Sequence, residues 1–192
     1  MDDASFLSFE GKRRTTTSAL AAATTVVTML DWAIGFRLSH LFAQNNALVV
    51  RGEVWRLFAS VFVHADLVHL SSNLFGLFLF GVQVENELGG RKELAAYFLS
   101  GWAANAFGLL VTPPWVFSLG ASGCVFGLVG AFFAGFGRVD PGALAIGLSF
   151  VALFVALSVG PGVDVWAHAS GALVGALLGL AWAGREQFDD VY

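Results

Sequence analysis

Long stretches free of Asp, Glu, Lys and Arg alternate along the chain with short charged clusters. Residues 15–30 carry no such charge, Asp31 interrupts, and the apolar run resumes to Phe36. Residues 67–84, 141–163 and 165–184 are likewise free, and 94–137 is free for 44 residues, with Pro113-Pro114 marking a break inside it. A membrane-crossing helix needs about 20 mostly apolar residues. The pattern therefore predicts six spans, near 18–36, 66–84, 93–111, 119–137, 142–160 and 165–184, with short tails at 1–17 and 185–192. The expected fold is an all-α, polytopic six-helix membrane bundle over 18–184.

Composition agrees with the pattern. Of 192 residues, 57% are apolar and only 12% are charged, where a soluble domain carries about 25%. A soluble fold of this size cannot hide so much apolar surface. The single cysteine, Cys124, excludes an internal disulfide. The net charge of −4 and the lack of a basic domain make nucleic acid an unexpected partner. Lys12-Arg13-Arg14 precede the first span in the manner of a signal peptide. No small-residue cleavage site follows it, so an uncleaved first helix is expected.

Loop charge sets the orientation. With the N-terminus inside, the inner segments hold Lys12, Arg13, Arg14, Arg91, Lys92, Arg138 and Arg185, and the outer ones only Arg37, Arg51 and Arg56. The chain is thus expected to be N-in and C-in, with spans 2, 4 and 6 running inward from the outer face. The outer connection at 37–65 is long for a helical bundle.

Polar side chains inside hydrocarbon are costly and mark function. Span 2 carries His69 and Asn73 after His64 in the loop. Span 4 opens with Gly120-Ala121-Ser122-Gly123, and span 6 carries His168 in its first turn or so. Orientation alone puts Ser122 and His168 at a matching depth, about 5 Å below the outer surface at 1.5 Å per residue. Gly123 and Gly127 on span 4, and Gly171, Gly175 and Gly179 on span 6, recur every four residues and form smooth stripes that allow close backbone approach. If the stripes meet, Ser122 and His168 come within reach as nucleophile and base. His69 and Asn73, at i and i+4, share a face and can donate hydrogen bonds. With the Ser122 amide at a helix N-terminus they suit an oxyanion hole. Asp164 is one turn from His168 towards the loop, which favours a dyad over a triad.

Blander readings compete at each position. A lone membrane serine commonly bonds its own helix, and His69 and Asn73 can simply join helices. His64 lies at the loop edge, where it shapes the cavity mouth. No carboxylate or thiolate has spacing to join the histidines as metal ligands, so neither metal nor cofactor is expected. Asp31 reads as a structural group near the outer interface, and Cys124 as a small buried residue. Trp55-Arg56 reads as an interface anchor for the first outer loop, with Glu85 and Arg91 as charges at the inner surface. A transporter would show repeats or polar residues running to the inner face, and neither is seen. Gly120-Ala121-Ser122-Gly123 is not the G-x-S-x-G of an α/β-hydrolase.

These residues resemble the rhomboid family of intramembrane serine proteases over about residues 52–182. The resemblance rests on Trp55-Arg56, His64-x4-His69-x3-Asn73, Glu85-x2-Leu88-Gly89, Gly120-x-Ser122-Gly123-x3-Gly127 and Ala167-His168-x2-Gly171-x3-Gly175. Their order and placement on spans 2, 4 and 6 make the match specific. It implies Ser122 as nucleophile, His168 as base, and His69, Asn73 and the Ser122 amide as oxyanion hole. It also implies a cavity open to the outer face, gated by span 5 and the loop before span 6, and substrates with a single transmembrane segment. Phe126 stands where bacterial relatives often have Tyr, so a ring can still pack beneath His168 without the hydroxyl. The form expected is the minimal six-helix one. A client-binding pseudoprotease is the alternative, though it would be expected to lack the serine or the histidine.

Overall fold

The computed structural model describes residues 15–137, 142, 145, 149 and 165–189. Helix α1 runs Thr15–Ala33, and three short helices follow, α2 (Arg37–Phe42), α3 (Asn46–Val50) and α4 (Arg56–Ala59, continued by a 3-10 turn to Phe62). Helix α5 spans Leu67–Leu88, α6 Gly90–Val111, α7 Ser122–Gly137 and α8 Val165–Asp189. The two strands are β1 (Gln44–Asn45) and β2 (Phe117–Ser118). Helices α5, α6 and the 165–182 part of α8 are long and apolar enough to cross a membrane, and α7 is a shorter apolar helix. The expected fifth span, 142–160, lies outside the described residues apart from 142, 145 and 149.

Local chemistry sets the helix ends. Asp66 caps α5 by accepting from the His69 amide at 2.8 Å. Gly89, at φ +83°, turns the chain directly from α5 into α6, a left-handed step that suits glycine. Thr112 is extended ahead of Pro113-Pro114, and α6 stops there. Helix α1 ends three residues before its expected limit because Gly35 (φ +74°) and Phe36 (φ +61°) both adopt left-handed backbone. Asp31 makes that turn possible. It is fully buried rather than at the interface, and its carboxylate accepts from the Leu38 amide (2.7 Å), the Ser39 amide (3.0 Å) and the Ser39 hydroxyl. These are first-turn donors of α2, which no helix carbonyl can reach.

Helix α7 is the central element, and small residues let it be so. A Cβ added to Gly171 would land on the Gly123 carbonyl of α7. One on Gly175 would land on the Gly127 carbonyl, and one on Gly179 on the Ala131 carbonyl. On the α6 side, Gly101 receives the Cys124 sulfur and Ala104 lies against Gly123. On the α5 side, Gly76 admits Val125. The core cluster follows this packing, with Leu77, Tyr97, Cys124 and Leu128 enclosed around α7.

The connection between α1 and α5 folds inward and grips the segment that leads into α7. Arg56 is buried. Its guanidinium pairs with Glu53 at 2.7 Å and donates to the carbonyls of His40 (3.0 Å) and Ala43 (2.7 Å). Arg56 therefore organises the loop from inside rather than at the interface, while the exposed Trp55 donates to the Leu41 carbonyl. The amides of Gln44, Asn45 and Asn46 donate to the carbonyls of Asn105, Val116, Gly108 and Thr112. Two of those acceptors, Gly108 and Thr112, lie at the end of α6. Strands β1 and β2 pair antiparallel, Gln44 opposite Ser118 and Asn45 opposite Phe117.

His64 completes the grip. It is fully enclosed, and its Nε2 accepts from the Ala121 amide at 3.2 Å. Its Nδ1 lies 3.1 Å from the Thr28 hydroxyl of α1, which donates to the Phe62 carbonyl at 3.0 Å. Since the Thr28 proton is committed there, His64 carries hydrogen on Nδ1 and is neutral. Burial, reinforced by His69 and opposed by Asp66, pulls this imidazole from its usual 6.5 down to about 3.

Two outcomes are expected. Gly175→Val should separate α7 from α8 and lower the thermal midpoint in detergent by the equivalent of about 1–3 kcal/mol or more, as overpacking does. An unchanged midpoint would mean the seam has slack. For His64, the folded value lies below the unfolded one, so its contribution is complete above about 6.5 and is lost as pH falls towards about 3. The midpoint of His64→Gln should start lower than that of the wild type and fall less steeply across that interval. Parallel pH curves would remove His64 as the titrating group.

Candidate active site

Three helix ends and one loop converge on Ser122. The serine is half-buried and is the first residue of α7. The expected start of this span, near residue 119, is displaced to Ser122 by the loop itself. Gly120 has φ +109°, its amide donates to the Ser60 carbonyl at 2.9 Å, and the Ala121 amide goes to His64. The residues just before the serine are thus held in a non-helical conformation by hydrogen bonds to the loop. Early α7 amides are left without helical acceptors, at the positive end of the helix dipole.

His168 is the fourth residue of α8 and is buried. Gly171 lies three residues further along nearly the same face. Because Gly171 abuts Gly123, the seam sets the first turn of α8 beside the first turn of α7. The Ala167 carbonyl lies 3.6 Å from where a Gly123 Cβ would be. Phe126, one turn along α7 from Ser122, stacks on His168 with ring centroids 4.4 Å apart and planes 16° from parallel. The ring fixes the imidazole plane by packing alone, with no hydroxyl available.

His69 approaches from α5. A Cβ on Gly120 would come within 2.6 Å of its Cε1 and Nε2, so only glycine leaves room for this imidazole next to the serine loop. Its ring also meets the enclosed ring of His64 edge-on, with centroids 5.0 Å apart. Asn73 is buried one turn along α5 from His69, and its Nδ2 donates to the His69 carbonyl at 2.9 Å. A carboxamide has two N–H groups, and this bond uses one of them.

The structure therefore brings Gly120, Ser122, Phe126, His168 and His69 into one region, with Gly123, Gly127, Gly171 and Gly175 forming the seam behind it. Asn73 is on the same helix as His69 and bonded to its backbone. Trp55 and Arg56 are not in this cluster and act through the loop. Sequence reasoning passed over Thr28, the run Gln44–Asn46, and Asn105. The last of these donates to the Leu57 carbonyl (2.8 Å) and the Ser60 hydroxyl (2.9 Å). A signal existed in the three consecutive amides flanked by apolar residues, but their acceptors lie about 60 residues away in sequence.

Chemically, the region offers a hydroxyl at a helix N-terminus, a buried imidazole fixed in plane, and a second imidazole and a carboxamide on one neighbouring helix. Those are the components of acyl transfer.

Comparison with known proteins gives a consistent picture. Residues 51–185 match the Rhomboid domain family model. RHOMBOID-like protein 1 of Arabidopsis thaliana is 32% identical over 158 residues, covering 79% of this chain and 40% of the relative. RHOMBOID-like protein 6, mitochondrial, of the same plant is 33% identical over 149 residues, covering 74% and 48%. Rhomboid-like protease 3 of Toxoplasma gondii is 31% identical over 140 residues, covering 66% and 51%. The chain thus spans about half the length, or less, of these relatives. With the family model matching well over half of the sequence and the helices packed around Ser122 as described, this membrane protein belongs to the rhomboid family.

Proposed function

We propose that the protein is an intramembrane serine endopeptidase that hydrolyses peptide bonds in or near the transmembrane segments of single-pass membrane proteins. The observation that carries this reading is the register of the α7–α8 seam. It sets the buried His168, stacked on Phe126, against the helix end that starts at Ser122. Family membership supports the same reaction class.

In this reading His168 takes the Ser122 proton as the hydroxyl oxygen attacks the scissile carbonyl. Negative charge collects on the carbonyl oxygen, which accepts from the Ser122 amide, His69 and the remaining Asn73 N–H. His168 then returns the proton to the leaving amine, the C–N bond breaks, and an acyl-serine remains. Water, deprotonated by His168, attacks the ester and frees the serine. The substrate must present a non-helical backbone at the site, because an intact helix keeps its carbonyls in internal hydrogen bonds. Small residues followed by helix-weakening Gly or Pro fit that need. In the membrane the chain runs N-in and C-in, crosses six times, and opens the site to the extracytoplasmic side. Loop charge supports this arrangement.

A serine-directed fluorophosphonate should label the purified protein on Ser122, located by mass spectrometry. Ser122→Ala and His168→Ala should both reduce cleavage of a transmembrane reporter to background, since nucleophile and base act as a unit. Asn73→Ala should be slower by about 100-fold, the typical loss of one oxyanion donor. Cleavage by Ser122→Ala at the wild-type rate would end this mechanism. A wild type that neither cuts a broad reporter panel nor takes the label would favour a client-binding role instead.

Phe126 gives a second check. Phe126→Ala removes the stacking face and should lower kcat with little change in KM, whereas Phe126→Tyr should restore the rate. Equal rates in all three would show that the ring does not hold the imidazole.

A further inference from the structure

At the end of α5 remote from His69, two carboxyl groups share one hydroxyl. Thr17 Oγ1 of α1 lies 2.9 Å from Glu85 Oε2 and 2.7 Å from Glu93 Oε1. A threonine hydroxyl owns one hydrogen and can donate along only one of these contacts. With both carboxyls ionised, the other contact would set lone pair against lone pair beside the enclosed Glu93. A second proton is needed, and it must reside on a carboxyl.

We propose that Glu93 is a neutral carboxylic acid that donates to Thr17, so that Glu93, Thr17 and Glu85 form a directed relay fastening α1 to α5 and α6. The Glu93 hydroxyl donates to Thr17 Oγ1, and the Thr17 hydroxyl donates to Glu85 Oε2. The assignment follows from the surroundings of the two acids. Glu85 is half-buried and also accepts from the amides of Thr16 (2.9 Å) and Thr17 (3.1 Å), donors that favour a carboxylate. It shares an open cavity with Thr16 and Arg91. Glu93 is fully enclosed, and its Oε2 has no hydrogen-bond partner among the described residues. Gly81 of α5 packs directly on it, where a Cβ would come within 2.9 Å of Oε1. An unpaired charge there would be costly.

Glu85 is the acid that α5 sets against Glu93. Tyr97 lies one turn along α6, with Arg91 and Lys92 at the start of that helix. The facing stretch of α1, residues 15–20, supplies hydroxyls and apolar groups. The relay is therefore a latch that weakens as pH rises. Removing its extra proton places two like charges across Thr17 and loosens this end of α1.

The test is infrared difference spectroscopy on the full chain in detergent, paired with thermal midpoints from about pH 4 upward. At neutral pH the wild type should show the C=O stretch of a protonated carboxyl, well separated from the carboxylate bands and absent in Glu93→Gln. That variant keeps a donor for Thr17. Its midpoint should match the wild-type value at about pH 4, where an unfolded glutamate is still largely protonated, and fall less as pH rises from there through neutrality, because an acid kept protonated only in the fold costs stability above its unfolded value. Glu93→Ala should already be lower at the acid end. Should Glu93→Gln not fold, Thr17→Val in a folded sample should shift the same band, since the proton loses its acceptor. Absence of a protonated-carboxyl band from the wild type would overturn the proposal. So would a fall with rising pH unchanged in Glu93→Gln, or a wild-type midpoint that depends on sodium over choline, which would put a bound cation in the proton's place.

Discussion

Close backbone approach along the α7–α8 seam fixes the helices around Ser122. Helix association in a bilayer cannot draw on the hydrophobic effect, because lipid tails are as apolar as leucine side chains. What remains is van der Waals contact, and glycine gives the most of it between backbones. Gly171, Gly175 and Gly179 each abut a carbonyl of α7, so rotation or sliding of α8 is opposed at three successive turns. The position of His168 is a consequence of this packing. On its other sides α7 sends side chains into its neighbours, Cys124 against Gly101 of α6 and Val125 against Gly76 of α5, while Ala104 of α6 lies against Gly123.

Packing sets helix against helix, but the segment before Ser122 is placed by hydrogen bonds. Residues 112–121 have no helical ladder to satisfy their backbone groups, and buried backbone must find partners. The loop between α1 and α5 supplies them through Asn45, Asn46, Ser60 and His64. The loop is in turn organised internally by Arg56 and by the cap that Asp31 places on α2. Charged and amide groups so deep in the protein are tolerable because each is paired. The same feature makes the arrangement rigid, as a serine at a helix N-terminus requires if its amide and hydroxyl are to keep a defined relation.

Much of this was legible in the sequence. Charge-free stretches of the sequence underlie α1, α5, α6, α7 and α8, of which α5, α6 and part of α8 are long and apolar enough to cross a membrane. Glycine spacing at i, i+4 identified the faces of α7 and α8, since helical periodicity maps spacing directly onto a surface. The residues gathered around Ser122 carried their own signal, being polar in segments where polarity is expensive. Asp31 and Arg56 stand out in the sequence but their partners do not, because a charge near a span end looks the same in sequence whether it reaches water or turns inward.

Read alone, the chain yields the class of protein, the helical periodicity and the few polar side chains set in apolar segments. Those properties are local, and each is readable within a window of about 20 residues. The partners those side chains take emerge only once the helices pack. His64 became a latch between Thr28 and Ala121, Asn46 became a cap for the end of α6 with Gln44 bonded further back at Asn105, and Thr17 became the shared partner of Glu85 and Glu93. Each pairing spans tens of residues and depends on hydrogen-bond geometry between elements already packed. No pattern along a single chain encodes that distance.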